Sequence, residues 1–231
     1  MKRILTGILL LSIAVLVLGA CSNDSSKENT EKENKEDLVA TVDGEGISKQ
    51  QYERELEAMK ATYEQQGMPE DQMDSKMKEE LEKSVLDQMI NAELLLQTAE
   101  KDGISIEEKE IDEELKNIKG NFEDEKQFEE ALKKNEMTEK DLKDQLKKQL
   151  AVNKYLDSKI GEVEATDEEI QAMYDQYKQL AQAQEQEPEA LEKIKPQLEQ
   201  QVLSEKENEQ ISKLIEDLRK ENEDKIKIIK A

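Results

Sequence analysis

Histidine is absent from the 231 residues of this chain, and a single cysteine is present. The absence of histidine excludes imidazole-based catalytic triads, a histidine general base and the common zinc sites. The lone cysteine, Cys21, excludes an internal disulfide bond. We therefore expect no metal site and no cofactor.

Aromatic residues make up only 3% of the chain, and there are eight glycines and three prolines. So few aromatic side chains argue against a compact, thick core. The dominant residues are Glu, Lys, Gln, Leu and Ala, which all favour helices. The sequence therefore predicts a mainly α protein, an elongated multi-helix core with long helices.

Acidic residues outnumber basic ones, which gives a net charge of −23. This balance excludes nucleic acid as a partner, because phosphate binding requires positive charge. Acidic runs such as 167–169 do not indicate acid–base catalysis, because adjacent residues on a helix point in different directions and helix N-termini favour acidic groups. We predict that the protein is not an enzyme.

The first twenty residues have the order of a bacterial lipoprotein signal peptide. Lys2 and Arg3 precede an uncharged run over 4–20, and small residues stand directly before Cys21. This pattern resembles a lipobox, and it predicts that residues 1–20 are removed and that Cys21 becomes the new N-terminus, lipidated by a diacylglyceryl group with acyl chains such as palmitate. A plain transmembrane anchor is the alternative, although the run is short for a spanning helix.

Residues 22–37 contain no apolar side chain, which is typical of a disordered tether. Together with the lipidated Cys21 they form a predicted segment, 21–37, between the membrane and a folded domain over 38–231. We expect the protein on the extracytoplasmic face of the cell membrane, in a Gram-positive envelope. The lipid does the anchoring, since the acidic chain is repelled by anionic lipid.

Residues 84–104 are the most apolar stretch after the N-terminal run and predict a central helix. One stripe lies at helical spacing, and a second lies beside it: Leu81, Val85, Met89, Ala92, Leu96 and Ala99, then Leu86, Ile90 and Leu94. Such a helix must be covered from more than one side. Gly103 predicts its end, since glycine accepts the left-handed conformation of a helix C-terminus.

Two β-type runs stand at opposite ends of the predicted domain, at 38–42 and 225–229. A short strand requires a partner, so we predict that these two strands pair. Between them, helix starts are indicated by Ser48 with Gln51, Thr138 with Asp141 and Thr166 with Glu169. Further helices are expected over 106–118, around Phe122, Phe128 and Leu132, and from Leu191 to Leu218.

Five of the eight methionines lie between Met59 and Met89. Methionine side chains are flexible and adapt to varied partners, so they are candidates for a binding surface. The alternative is that they fill gaps between helices. We take Met68, Met73, Met77 and Phe122 as candidate client-binding residues.

The order of these motifs resembles the N-terminal chaperone domain of the SurA and PrsA foldases. The resemblance runs over 38–229 and is carried by the segments 39–45, 47–48, 85–104, 106–115, 128–132, 138–142, 166–170 and 194–199, with the final strand. It implies a chaperone that holds unfolded or newly secreted proteins. One part of the PrsA pattern is missing, because the helices predicted over 170–218 leave no room for a parvulin domain, whose site is lined with histidines. The resemblance therefore implies a chaperone without prolyl-isomerase activity.

Two other functions are compatible with the sequence. An interaction or structural lipoprotein could bind one defined partner or form a homodimer through the apolar stripes over 142–156 and 211–218. A peptidyl-prolyl cis-trans isomerase-type foldase is the second alternative. A concentration-dependent mass would favour the first, and a clear rate enhancement in an isomerisation assay would favour the second.

Overall fold

The computed structural model describes residues 37–135 and 137–229. The predicted signal peptide and Cys21 lie outside these residues, as does the predicted tether up to residue 36. Among the described residues, no helix has the length and apolar character needed to cross a membrane.

The described chain is mainly helical, which confirms the predicted fold class. The helices are α1 (Lys49–Gln65), α2 (Ser75–Lys101), α3 (Glu108–Lys119), α4 (Glu125–Lys134), α5 (Glu139–Lys159), α6 (Asp167–Ala183) and α7 (Leu191–Glu221). The strands are β1 (Leu38–Val42), β2 (Glu45–Ser48) and β3 (Ile226–Ile228). Short 3-10 turns lie at Glu70–Gln72 and Glu223–Lys225.

The two ends of the described chain pair in one antiparallel sheet, as predicted. Its strand order is β2-β1-β3, and Ala40 of β1 faces Ile228 of β3. The C-terminal strand is shorter than the predicted 225–229. The strand β2 was not predicted; it forms a hairpin with β1 across Asp43 and Gly44, whose φ angles of 51° and 94° are those of a type I′ turn.

Side-chain caps set the helix starts at the predicted positions. Ser48 begins α1 and Thr166 begins α6, each in a capping box with the residue three positions later. At the start of α5, the Asp141 carboxylate accepts a hydrogen bond from the Thr138 N–H at 2.8 Å. These caps satisfy N–H groups that have no partner inside the helix, which is why they are visible in the sequence.

The described residues fall into two compact units. The larger contains the described residues up to Tyr155 together with 218–229, and the smaller is Leu156–Asp217. The boundaries lie inside α5 and α7. The predicted domain bounds, with one helical domain over 38–231, stay a prediction.

The helix α2 is the central element of the larger unit and is covered from more than one side, as predicted. Its buried residues are Leu81, Val85, Ile90, Leu94, Leu95 and Ala99. At about 100° per residue, Ile90 and Leu94 lie roughly half a turn around the helix from Leu81 and Val85. The predicted stripes were wrong at two residues. Ala92, assigned to the first stripe, is exposed, and Leu95, assigned to neither stripe, is buried.

The helix α2 ends just before Gly103, as predicted, with this glycine in the left-handed conformation. Gly103 has a φ of +76°, and the Ile104 N–H donates to the Ala99 carbonyl oxygen at 2.9 Å. This six-residue closure is the Schellman motif, which satisfies the last free carbonyl groups of a helix.

A second cluster in the larger unit joins α3, α4 and α5. Its buried residues are Ile111, Leu115, Phe128, Leu142 and Leu146. The sequence predicted Phe122 in one helix with Phe128 and Leu132. In the structure it lies in the turn before Asp124, the residue that caps α4. Because Leu142 and Leu146 contact α3 and α4 in this cluster, they are not free to form an oligomer seam.

The smaller unit has its own core, in which α6 packs against the first half of α7. Ile170 and Met173 of α6 are buried there with Leu198 and Val202 of α7. Pro196 lies inside α7, five residues after its first residue. Pro196 therefore lies beyond the first turn of α7.

Candidate functional site

The connection between α1 and α2 and the first turn of α2 carry three of the four predicted client-binding residues. Local hydrogen bonds determine the path of the chain in this region. The Met68 N–H donates to the Tyr63 carbonyl oxygen at 2.9 Å and ends α1. Asp74 then caps α2, because its carboxylate accepts the Met77 N–H at 2.8 Å. The backbone of both methionines is thus fixed by helix ends.

The three methionines of this region differ in exposure; Met68 and Met73 lie in the connection and Met77 lies in the first turn of α2. Met68 and Met77 are 37% and 36% exposed, whereas Met73 is only 5% exposed. Large apolar side chains at the surface are available to contact another chain, and a buried one is not. The structure therefore leaves Met68 and Met77 as surface candidates and places Met73 in the interior.

An ion-pair cluster holds this connection against both helices. The Glu70 carboxylate accepts a hydrogen bond from Lys60 of α1 at 2.8 Å and lies 4.0 Å from the ammonium of Lys78 of α2. The hydrogen bond from Lys60 is the main cause that lowers the pKa of Glu70 below its usual value. The exposed methionines thus stand beside a fixed charged cluster.

Phe122 is half-buried and belongs to the α3–α4–α5 cluster. Its ring meets the Phe128 ring edge to face, with 5.6 Å between ring centroids. The Lys119 ammonium lies 4.8 Å from the Phe128 centroid and donates to Glu125 and Glu139, each at 2.9 Å. These two hydrogen bonds, that to Glu139 first, raise the pKa of Lys119. Phe122 therefore contributes to packing in this structure.

An open groove beside this cluster was not predicted from the sequence. It has a volume of about 430 Å³ and is lined by Phe128, Glu129, Leu132, Lys133, Met137, Thr138 and Glu139. Its lining combines apolar side chains with charged ones. The sequence did contain a signal for apolar packing at this place. Met137 directly precedes the cap residue Thr138, and Leu142 follows four residues after it, which is the spacing of a hydrophobic staple.

Further apolar side chains are exposed away from the connection. Leu180 on α6 is 64% exposed, and Ile228 and Ile229 at the end of the sheet are 60% and 38% exposed. None of them was among the predicted site residues. The sequence shows these residues as apolar, but their exposure depends on what packs beside them.

The carboxylates with shifted pKa values lie in ion pairs and helix caps. Among the described residues, no group of three or more Asp, Glu or Cys side chains is placed to hold a metal ion. Lys195 donates a hydrogen bond to the Asp167 carboxylate at 2.7 Å and thereby lowers the pKa of Asp167. A hydrogen bond from the Thr138 side chain likewise lowers the pKa of Asp141. A carboxylate held ionised in this way is a poor proton donor at neutral pH.

The comparisons with known proteins relate this mainly helical chain to a domain family and to foldases. The chain belongs to the family of the SurA-like N-terminal domain, whose model matches residues 1–156. This finding confirms the resemblance to SurA and PrsA that the sequence motifs indicated.

Two foldases illustrate the similarity. Foldase protein PrsA of Caldanaerobacter subterraneus subsp. tengcongensis is 30% identical over 149 residues, which cover 62% of this chain and 44% of that protein. Foldase protein PrsA of Clostridium botulinum (strain 657 / Type Ba4) is 27% identical over 186 residues, which cover 76% of this chain and 54% of that protein. The chain thus spans about half the length of the curated relatives it matches. No solved structure matches it.

Proposed function

We propose that this protein is a membrane-anchored chaperone that holds unfolded or newly secreted proteins on the extracytoplasmic side of the membrane. It acts by contact and does not catalyse prolyl isomerisation. Membership of the SurA-like N-terminal domain family supports the chaperone class. The observation that carries the proposal further is the exposure of Met68, in the connection between α1 and α2, and of Met77, in the first turn of α2.

Exposed methionines suit a protein that must bind many sequences. Their thioether side chains are long and polarisable, and they change rotamer at little cost. Here the backbone beneath them is fixed by the end of α1 and the Asp74 cap, so that only the side chains adapt. Such a surface binds apolar segments of an unfolded chain without requiring a defined sequence.

The proposal that no isomerisation occurs rests on the residue inventory and on the helices. The chain contains no histidine. From Asp167 to Glu221 the described chain forms α6, a connection and α7, without a strand. Helices thus occupy the region before the final strand in which the PrsA pattern carries its parvulin domain.

The anchoring part of the proposal rests on Cys21. The apolar run and the small residues before it provide a processing signal, and two or more acyl chains hold a protein stably on a membrane. The partners of the protein are then the lipid bilayer and its unfolded clients.

The test is suppression of aggregation of a chemically unfolded client by the full chain. We expect the wild-type protein to slow light scattering, and Met68→Lys with Met77→Lys to weaken this effect by about threefold or more, since two apolar contacts are replaced by charges. Far-UV circular dichroism should stay unchanged, because both side chains are exposed.

A matched control adds the same two charges without removing an apolar contact. Gln65→Lys with Gln72→Lys changes exposed residues next to the same connection and should leave the holding activity intact. Equal loss in both double variants would remove the methionines from the binding surface. Acceleration of prolyl isomerisation in a peptide assay by the wild-type chain would refute a function by contact alone.

A further inference from the structure

Among the described strands, β3 lies at the edge of the sheet, and part of its backbone groups face away from β1. In the order β2-β1-β3, no other described strand pairs with β3 on its outer side. The Ile229 N–H donates to Val39 at 2.8 Å, and the Lys225 carbonyl accepts from Asp43 at 3.1 Å. Since backbone groups alternate in direction along a strand, the N–H and C=O groups of Ile226 and Ile228 point away from β1.

Exposed apolar side chains accompany this open edge. Ile228 is 60% exposed and Ile229 is 38% exposed, and successive side chains lie on opposite faces of a strand. An open edge with apolar side chains beside it is a template for pairing with another extended chain. With three residues, β3 is short enough that the pairing stays weak and reversible.

We infer that the outer edge of β3 binds an extended segment of an unfolded client by adding it as a further strand. This inference rests on the proposed function and names the form in which the client is held. Backbone hydrogen bonds do not depend on the client sequence, whereas a folded partner rarely offers a free extended backbone.

Two features argue against a second copy of this chain as the occupant. Each copy carries a net charge of −23, so two copies repel each other. Antiparallel pairing of β3 with itself about its central residue would also place two Lys227 side chains directly opposite, and like charges at such positions are destabilising.

A matched pair of labelled peptides tests the edge with the full wild-type chain. The first peptide is a short one of alternating valine and threonine with a lysine at each end. The second has the same sequence and carries N-methyl groups on two adjacent central residues. Adjacent N–H groups point to opposite edges, so the methyl groups block pairing on both. We expect fluorescence anisotropy to show about tenfold weaker binding of the methylated peptide, since the edge that faces β3 loses one hydrogen bond and its methyl group keeps the two backbones apart.

Two variants at one position test the same edge on the protein side. Ile228→Pro removes an outward N–H without touching a bond to β1, and edge strands tolerate proline. Ile228→Thr keeps that N–H and a β-branched side chain. We expect about fivefold weaker binding of the unmethylated peptide to the proline variant, and a change within about twofold for the threonine variant. Circular dichroism and thermal unfolding check that both variants fold.

The outcomes separate this inference from the proposed function. If the wild-type chain suppresses client aggregation but binds both peptides equally, edge binding is wrong and the chaperone function stands. The peptide pair decides this on the wild-type chain even if Ile228→Pro fails to fold. If sedimentation shows a wild-type oligomer that Ile228→Pro dissociates, the occupant is a second copy and the inference is overturned. If the wild-type chain holds no unfolded client, the proposed function itself fails.

Discussion

At the start of α6, the carboxylate of Glu169 makes three hydrogen bonds. It accepts from the Thr166 N–H at 2.8 Å, from the Thr166 hydroxyl at 2.9 Å and from the Lys206 ammonium at 2.7 Å. These bonds, that from Lys206 first, lower the pKa of Glu169 to about 2. One residue thus caps α6 and ties it to α7 inside the smaller unit.

The lowered pKa of Glu169 predicts an acid-dependent loss of stability. A carboxylate whose pKa is lower in the folded state stabilises the fold above its unfolded pKa, and this contribution disappears as the pH falls to the folded pKa. For Glu169 the window runs from pH 4.5 down to about 2. We expect Glu169→Gln to unfold at a lower temperature than wild type at neutral pH, with a difference that shrinks across this window.

The neighbouring Glu168 provides the control for this measurement. It is exposed on the same turn of α6 and has no lysine partner among the described ion pairs. Glu168→Gln should stay closer to the wild-type unfolding temperature than Glu169→Gln, because it loses only a favourable charge at the helix start and none of the described hydrogen bonds. A constant difference between Glu169→Gln and wild type from neutral pH to pH 2 would show that the charge of Glu169 is not what stabilises the unit.

Between elements, Arg219 joins the last turn of α7 to the central helix α2. Its guanidinium donates to the Asn91 side-chain oxygen at 2.7 Å and to the Asp87 carboxylate at 2.9 Å. Asp87 and Asn91 lie one turn apart, so the planar fork of an arginine reaches both, which a lysine ammonium does less well. This contact links residues more than a hundred positions apart in the sequence and holds the returning chain beside β1.

We predict that Arg219→Ala lowers the free energy of unfolding by about 1–2 kcal/mol, because two hydrogen bonds from a charged group are lost. Arg219→Lys should recover less than half of this loss. Urea unfolding followed by circular dichroism measures both variants.

The exposed Arg54 on α1 is a matched control, since no described ion pair involves it. Arg54→Ala should change the free energy of unfolding by less than about 0.5 kcal/mol, as is usual for surface positions. If Arg219→Ala were as neutral as Arg54→Ala, the link between α7 and α2 would carry no stability.

Across the whole molecule, charge and anchoring are connected. A net charge of −23 repels the protein from anionic lipid. Protein charge therefore does not help to hold it at a membrane, and in the proposed function the lipid on Cys21 provides the whole attachment. We expect Cys21→Ser to move essentially all of the protein from the membrane fraction to the soluble fraction of the producing bacterium, as measured by immunoblotting.

A substitution at the next residue controls for effects on export. Ser22→Ala leaves the cysteine in place and should remain in the membrane fraction. Retention of Cys21→Ser in that fraction would mean that the apolar run over 4–20 anchors the chain as a spanning segment, the alternative that the sequence left open.

Local signals were sufficient for most helix boundaries. Ser48 and Thr166 each accept a hydrogen bond from the backbone N–H three residues later, so the sequence alone locates the helix start. The strand β2 was missed because its four residues include one glycine and one serine and have little β character. Its partner β1 and the Asp43-Gly44 turn select its conformation.

The candidate site was predictable only in part. The five methionines between Met59 and Met89 are visible in the sequence, so Met68 and Met77 could be named as candidates. Their exposure, the burial of Met73 and the groove beside Phe128 follow from packing between elements that are distant in the sequence. Methionine suits both a core and a surface, so composition does not distinguish these cases.

The sequence by itself determined the helical class, the helix caps, the central position of α2 and the pairing of the two end strands. These follow from hydrogen bonds between near neighbours and from apolar periodicity, which are local properties of the chain. Only the tertiary structure decided which side of α2 is covered at each turn, that Leu95 is buried and Ala92 exposed, and that the outer edge of β3 is open. Those outcomes depend on which distant segment packs against each face, and local sequence does not encode that choice.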